Sequence, residues 1–321
     1  AFPRGRSLGT EQMQSRAEAF SRSADARRRD VLTMVRRAWL EVYYAQRAWS
    51  AVNESRPFFD DLVTITRSMY GVGRKTQHDV LRAELELSRL DDRLIEASRA
   101  RAEAQAALSR WLGHDAYRPI AQKLPAWESV PMLEDLRDGL GSHPSLAAAQ
   151  ASIDAKETAV DIAEENKKPD WALDLAYGYR DGFQPDGTPR SDFVSLSVTV
   201  GLPFFGENRQ DRKLAAALSE HRAARYSQHE LSARLKSELD AEYARWTDLT
   251  RRLALYETLI LEQSRGQAQA ALLAYQSDTG DFSDVMRGYI DDLNTRLEHI
   301  RLQVERAQSY AMLANLGGLE R

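Results

Sequence analysis

Two stretches, WALDLAYGYR at 171–180 and VSLSVTVGL at 194–202, break the pattern of everything around them. In the first, Trp171, Leu173, Leu175, Tyr177 and Tyr179 alternate with Ala172, Asp174, Ala176, Gly178 and Arg180. In the second, Val194, Leu196, Val198, Val200 and Leu202 alternate with Ser195, Ser197, Thr199 and Gly201. A period of two is the signature of a strand, whose side chains change face at every step. Between them, residues 181–192 carry Gly182, Pro185, Gly187 and Pro189, which is turn chemistry. The reading is a β-hairpin with one greasy face and one small or polar face. Each strand has about 9–11 residues, enough to cross a bilayer at a tilt. Trp171, Tyr177, Tyr179, Phe193, Phe204 and Phe205 include candidates for interfacial aromatics. A soluble hairpin laid over helices is the bland alternative, but such a strand rarely puts tiny residues so regularly on its outer face. Lipid tolerates no open strand edge, so a membrane hairpin must close into a barrel. Two or four strands do not make one, and the chain is then expected to oligomerise.

Outward from the hairpin the period changes to alternating threes and fours, the coiled-coil spacing. Residues 8–71 read as one helix, with Leu32, Val35, Trp39, Val42 and Trp49 along its seam. At 1.5 Å per residue it spans about 96 Å, longer than a compact domain allows. Pro57 is expected to kink or divide it. A turn from Gly71 to Gln77 leads to a return helix with Val80, Ala83, Leu87, Leu90, Leu94 and Ala97 on its seam, ended by Leu112-Gly113. Thr76 and Asp79 have capping-box spacing. Pro119, Pro125 and Pro131 mark a connector, followed by a short helix near Leu133–Leu140. A helix opened by Ser142-His143-Pro144 runs to about Asn166. After the hairpin, a second long helix is expected from about Glu207 to Tyr275, with Trp246, Leu249, Leu253, Tyr256 and Ile260 in register. The last helix carries Met286, Ile290, Leu293, Leu297, Ile300, Val304, Ala307, Ala311 and Ala314.

The landmarks recur at an offset of 200 to 205 residues. Pro3 matches Pro203, Tyr70 matches Tyr275, Asp79-Val80-Leu81 matches Asp284-Val285-Met286, and Leu112-Gly113 matches Leu316-Gly317. The chain is read as a duplication: a first helical repeat at 1–113, a connector and helix at 114–168, the hairpin at 169–202 and a second helical repeat at 203–321. By symmetry a further hairpin is expected upstream of Ala1. The opening Ala1-Phe2-Pro3 has neither an initiator Met nor a signal peptide, so a processed, truncated or partly disordered N-terminus is expected.

Composition removes other classes. The 321 residues are 43% hydrophobic and 29% charged, with 17 Gly and 10 Pro, which excludes disorder and collagen-like chains. No stretch approaches the ~18 uncharged apolar residues of a spanning helix. With 44 basic against 48 acidic residues interleaved, nothing points to nucleic acid. Without cysteine, disulfides and thiolate sites are excluded. Six His are scattered, and His229-Glu230 fails as a zincin motif because position 233 is Ala. His221 and His229 read as solvated helix residues. No phosphate-binding glycine loop or nucleophile elbow is present, so no enzyme, metal site or cofactor is expected.

Several stretches resemble the TolC family of outer-membrane efflux proteins. They are Tyr70-Gly71-Val72-Gly73 with Asp79 to Glu84, the parallel Tyr275 to Met286, Leu108 to Gly113, Gly-Leu-Pro-Phe-Phe-Gly at 201–206, and Leu313 to Gly317. His143-Pro144-Ser145-Leu146 and Lys168-Pro169-Asp170 are most similar to the heavy-metal (CzcC/CusC-like) branch. The resemblance spans essentially the whole chain. It implies a mainly α fold, internally duplicated: a long-helix α-barrel plus a β-barrel segment built from the transmembrane hairpin.

The resemblance further implies a homotrimer in the bacterial outer membrane with its helices in the periplasm. Each protomer of the family gives four strands to a shared twelve-stranded barrel, and this chain shows one hairpin only. The implied function is the outer-membrane channel of a tripartite efflux system, giving metal cations or small toxic compounds passive exit. The implied partners are outer-membrane lipid, a periplasmic adaptor (membrane fusion) protein and an inner-membrane pump such as an RND transporter. Members of this branch are often lipidated on an N-terminal cysteine, and here such an anchor is expected only upstream of Ala1. The rival is a soluble periplasmic coiled-coil adaptor or scaffold, which accounts for the helices but not for the amphipathic strands.

The expected lipid-facing residues are Trp171, Leu173, Leu175, Val194, Leu196, Val198 and Val200, with Ala172, Asp174, Ser195, Ser197 and Thr199 facing the lumen. Small residues such as Ala215, Ala216, Ala217, Ala268, Ala270 and Ala271 suit lateral helix packing. The turns at 71–77 and 276–283 are expected to lie together, about 90–100 Å from the hairpin, and the resemblance implies that they are the periplasmic mouth where an adaptor docks. Gly71, Val72, Gly73, Thr279 and Gly280 are the candidate adaptor-docking tip. Asp79 and Asp284, with Asp278 and Asp281, are candidates for gating and for rings of negative charge. Asp79 and Asp284 also suit the first turn of a helix, and the two roles are compatible.

Overall fold

The computed structural model describes residues 3–127, 129–202, 207 and 209–318. In chain order the elements are α1 (Pro3–Gly71), α2 (Gln77–Leu112), a 3-10 turn (Gly113–Tyr117), α3 (Leu133–Leu140), α4 (Pro144–Glu165), β1 (Asp170–Gly178), β2 (Phe193–Gly201), α5 (Gln210–Leu255), a π turn (Tyr256–Ile260), α6 (Leu261–Gln276) and α7 (Phe282–Gly317). The fold is mainly helical, with one small sheet. The Gly-Leu-Pro-Phe-Phe-Gly transition, with the aromatics Phe204 and Phe205, lies mostly outside the described residues.

Two units pack separately. One joins the chain up to Arg27 with Gly141–Leu235; the other joins Arg28–Leu140 with the chain from Lys236 on. The first unit holds the hairpin and α4. The N-cap of α4 is His143, which accepts the Ser145 amide, and Pro144 takes the first turn, where a missing N–H costs nothing. Lys156 pairs with Glu220 to tie α4 to α5.

The second unit holds the core. Ala51, Val52, Phe59, Leu62 and Val63 of α1 pack with Ala83 and Leu90 of α2, Tyr275 of α6, and Phe282, Val285, Met286 and Leu293 of α7. A second cluster sets Leu40 and Tyr43 against Val304 and Ala307, with Ile120, Leu124 and Trp127 of the connector lying on it. Trp127 stacks on Tyr310 with centroids 5.1 Å apart, so the proline-marked connector is strapped to the helices by an aromatic anchor.

The return helices correspond closely. Residues 77 and 112 bound α2 and 282 and 317 bound α7, a constant offset of 205. Their burial differs. α2 buries Ala83, Leu90 and Leu108, whereas α7 buries both Val285 and Met286 and many residues beyond a single seam. α7 is flanked by α1 (Phe58 on Tyr289) and α6 (Gly288 on Ala268), so more than one stripe is covered.

Several expectations need correction. α1 starts at Pro3, not residue 8, and of the two outcomes expected at Pro57 the division does not occur, since the helix runs through it. Both Asn53, whose carbonyl loses its partner, and Pro57 face solvent, where water satisfies that carbonyl. Leu32 does not belong to the seam: it is exposed, while Leu40, Val42 and Tyr43 are buried. The second long helix is not continuous, because the π turn at Tyr256–Ile260 interrupts it. A π turn takes an extra residue. That lets Leu249 and Leu253 meet Leu302 ahead of it while Ala268 meets Gly288 behind it. The strands end at Gly178 and Gly201, short of Arg180 and Leu202.

Candidate functional site

The hairpin is built as the alternation requires. β1 and β2 pair antiparallel with Trp171 opposite Val200, Leu173 opposite Val198, Leu175 opposite Leu196 and Tyr177 opposite Val194. All four pairs share one face, since partners and alternate residues point the same way. The other face pairs Ala172 with Thr199, Asp174 with Ser197 and Ala176 with Ser195. The apolar face is exposed: Leu173 is 59% exposed, Leu175 73% and Leu196 66%. A contiguous uncovered apolar strip marks a surface meant for lipid or a partner. Phe193 lies over Gly178, leaving no room there for a side chain. Tyr177 donates to Asp192, which also accepts the Arg180 amide at 3.0 Å, so the connecting loop is fastened to the strand ends.

The two helical turns do come together. Lys75 Nζ of the first lies 2.9 Å from Asp278 Oδ1 of the second and 4.6 Å from the Tyr275 ring centroid. Tyr275 is buried, packs edge-on against Phe282, and directs its hydroxyl to Thr66 Oγ1 at 3.5 Å. The hydrogen bond and charge of Lys75 hold the Asp278 carboxyl below the usual carboxylate range, and Asp278 raises Lys75 in return. Burial pushes the Tyr275 phenol up. Gly73 and Asp278 stand 205 residues apart and share a left-handed backbone, at φ 74° and 61°. In the second turn, the Thr279 and Gly280 amides both donate to the Ala274 carbonyl, at 2.9 and 3.0 Å.

The candidate acids differ in what they do. Asp79 Oδ2 accepts the Thr76 amide at 3.0 Å and the Thr76 hydroxyl at 2.8 Å, completing a capping box. Asp278 is matched in charge by Lys75. Asp281 is the N-cap of α7 but its side chain makes no cap hydrogen bond. Asp284 stands exposed, 3.6 Å from Arg287. Val72 at the first turn is 71% exposed, and Gly71 and Gly73 have open space around them. Sequence reasoning missed Lys75, Thr66 and Arg287. Setting the two copies side by side offered one signal, a lysine in one turn facing an acid in the other. Among the described residues no group of three or more His, Cys, Asp or Glu is placed to hold a metal, and no helix is long and apolar enough to cross a membrane.

A family model described as "Outer membrane efflux protein" matches residues 136–319. Protein CyaE of Bordetella pertussis is 27% identical over 98% of this chain and 68% of its own length. Among solved structures, the outer membrane protein VceC of Vibrio cholerae superposes with a TM-score of 0.86 at 19% identity, over 98% of this chain and 76% of that one. CusC gives 0.87 at 14% identity, over 97% and 73%. At such identities the structural likeness establishes the fold.

Proposed function

Since the chain belongs to the outer membrane efflux protein family, we propose that it is the outer-membrane channel of a tripartite efflux system. Cargo, metal cations or small toxic compounds, leaves the periplasm through it passively. The observation that carries this is the exposed apolar face of the hairpin, set in register with a small, polar opposite face. A soluble adaptor or scaffold would have to hide that face; lipid covers it without further structure. A two-stranded sheet leaves two open edges, which lipid does not tolerate, so neighbouring copies must supply the rest of the barrel.

The helices support the same reading. α2 exposes Leu81, Leu85 and Ile95, and the run of α5, the π turn and α6 exposes Leu255, Leu259 and Leu273. These are two different faces, so a contact between them is head-to-tail, the kind that closes rings. A homotrimer is the ring proposed. The paired turns form its periplasmic mouth, where Gly71, Val72, Gly73, Thr279 and Gly280 meet an adaptor protein and, through it, an inner-membrane pump such as an RND transporter. Asp284 and Asp281 supply rings of negative charge there, and Asp79 contributes through its helix cap.

Bilayer conductance of the full-length protein tests the ring. Asp284→Asn should weaken cation preference and block by multivalent cations. Unchanged selectivity with only a small loss of thermal stability would leave Asp284 a helix-terminus charge and nothing more.

A further inference from the structure

The second unit carries a groove between α1, α6 and α7 that the channel reading does not use. Two adjoining cavities, of about 220 and 210 Å³, share Glu54, Arg265 and Arg296. The floor of the first is aromatic: Phe58 and Tyr289 stack with centroids 3.5 Å apart at 17°. Its inner wall is an ion pair: buried Asp292 lies 3.0 Å from Arg296 Nε, which nevertheless has no hydrogen-bond partner, while Arg296 Nη2 donates to Ser55 Oγ at 2.9 Å.

Arg47, which lines the second cavity, and Arg265 are different. Among the described residues neither has a carboxylate within ion-pair distance. Among the Arg, Asp and Glu side chains that line the groove, three guanidinium groups (Arg47, Arg265, Arg296) thus face two carboxylates (Glu54, Asp292), an excess of one positive charge; His299 of the lining is turned to Glu257, at 3.3 Å. The second cavity also takes in Leu261, the first residue after the π turn, and such insertions recur at functional sites.

We propose that this groove binds a small amphiphilic monoanion. Its flat or ring-shaped apolar body lies against Phe58 and Tyr289, and its sulfonate, sulfate or carboxylate head is held by Arg47 and Arg265. Arg47 and Arg265 are both exposed and so accessible to such a head, and the guanidinium fork matches its paired oxygens. Glu54 disfavours a second negative charge, so a dianion fits less well. The site lies within one chain and does not depend on oligomerisation or on transport.

The test is calorimetric titration of 2-naphthalenesulfonate into the full-length protein in nanodiscs of zwitterionic lipid, with empty nanodiscs subtracted. One saturable site per chain is expected. Arg47→Gln and Arg265→Gln should each weaken it about tenfold, and the neutral 2-naphthalenesulfonamide should bind about tenfold more weakly than the sulfonate. Glu54→Gln should tighten binding several-fold, a gain that misfolding does not mimic. Absence of saturable binding, or affinity unmoved by the paired Arg47→Gln/Arg265→Gln change, would overturn the proposal. So would Glu54→Gln binding no tighter than the unchanged protein.

Discussion

Asp278 adopts a left-handed backbone that side chains usually avoid, while its counterpart Gly73 adopts the same conformation freely. Its carboxylate reaches Lys75 and ties one turn to the other. Asp278→Gly therefore keeps the turn and loses the tie, whereas Asp278→Ala loses both, and alanine should give the less stable protein in thermal unfolding. The tie also sets a pH window. Asp278 is lowered, so its contribution is complete above the ordinary carboxylate range and is lost as pH falls through the lowered value. Lys75 is raised, so its contribution holds below the ordinary lysine value and is lost as pH rises through the raised one. The protection factors of the amides at 277–281, each taken against the intrinsic exchange rate at the same pH, should be greatest between those limits, and Asp278→Asn should flatten the acid limb. A profile identical to the parent's would remove Lys75–Asp278 as the tie. The two N-caps make a further contrast. Thr76→Ala should cost about 1 kcal/mol, because it removes a cap hydrogen bond. Asp281→Ala, whose side chain makes none, should cost less in the same denaturant titration.

Elements were legible to the extent that one local pattern governed them. The period of two at 171–179 and 194–202 foretold both faces of the hairpin, since alternation fixes facing once the strands pair. Leu196→Arg should cost about 2–4 kcal/mol of membrane stability, and Ser197→Arg on the opposite face little; equal costs in a membrane-refolding titration would sink the assignment of faces. The π turn was not legible, because Leu249, Leu253, Tyr256 and Ile260 keep three-four spacing straight through it. What demands it is tertiary: α5 and α6 must both meet α7. Gly288 shows how close that meeting is, for a Cβ there would stand 3.0 Å from Ala268 Cα. Gly288→Ala requires Ala268 to give by a few tenths of an ångström, and thermal unfolding should therefore show none of the roughly 1 kcal/mol that alanine otherwise brings to a helix interior. Leu32, and the division expected at Pro57, misled for a related reason. A proline on a water-facing stripe need not break a helix, and an apolar residue in phase need not find a partner. At the tips the sequence revealed the turns and the acids, but not that Lys75 neutralises Asp278, a contact between residues some two hundred positions apart.

At the scale of the molecule, the duplication is expressed as two return helices of 36 residues at a constant offset, with different surroundings. One copy is enclosed by its own chain. The other leaves Leu81, Leu85 and Ile95 uncovered, and the two-stranded sheet likewise leaves its edges unpaired. On the proposed reading both surfaces are closed by further copies, and the closed ring is the channel. Planar-bilayer recording of the full-length protein, reconstituted in lipid, tests that claim most directly. Discrete, long-lived conductance steps with a preference for cations are predicted. Protein that inserts into the bilayer, as shown by protection of the hairpin from protease, yet passes no current would contradict it.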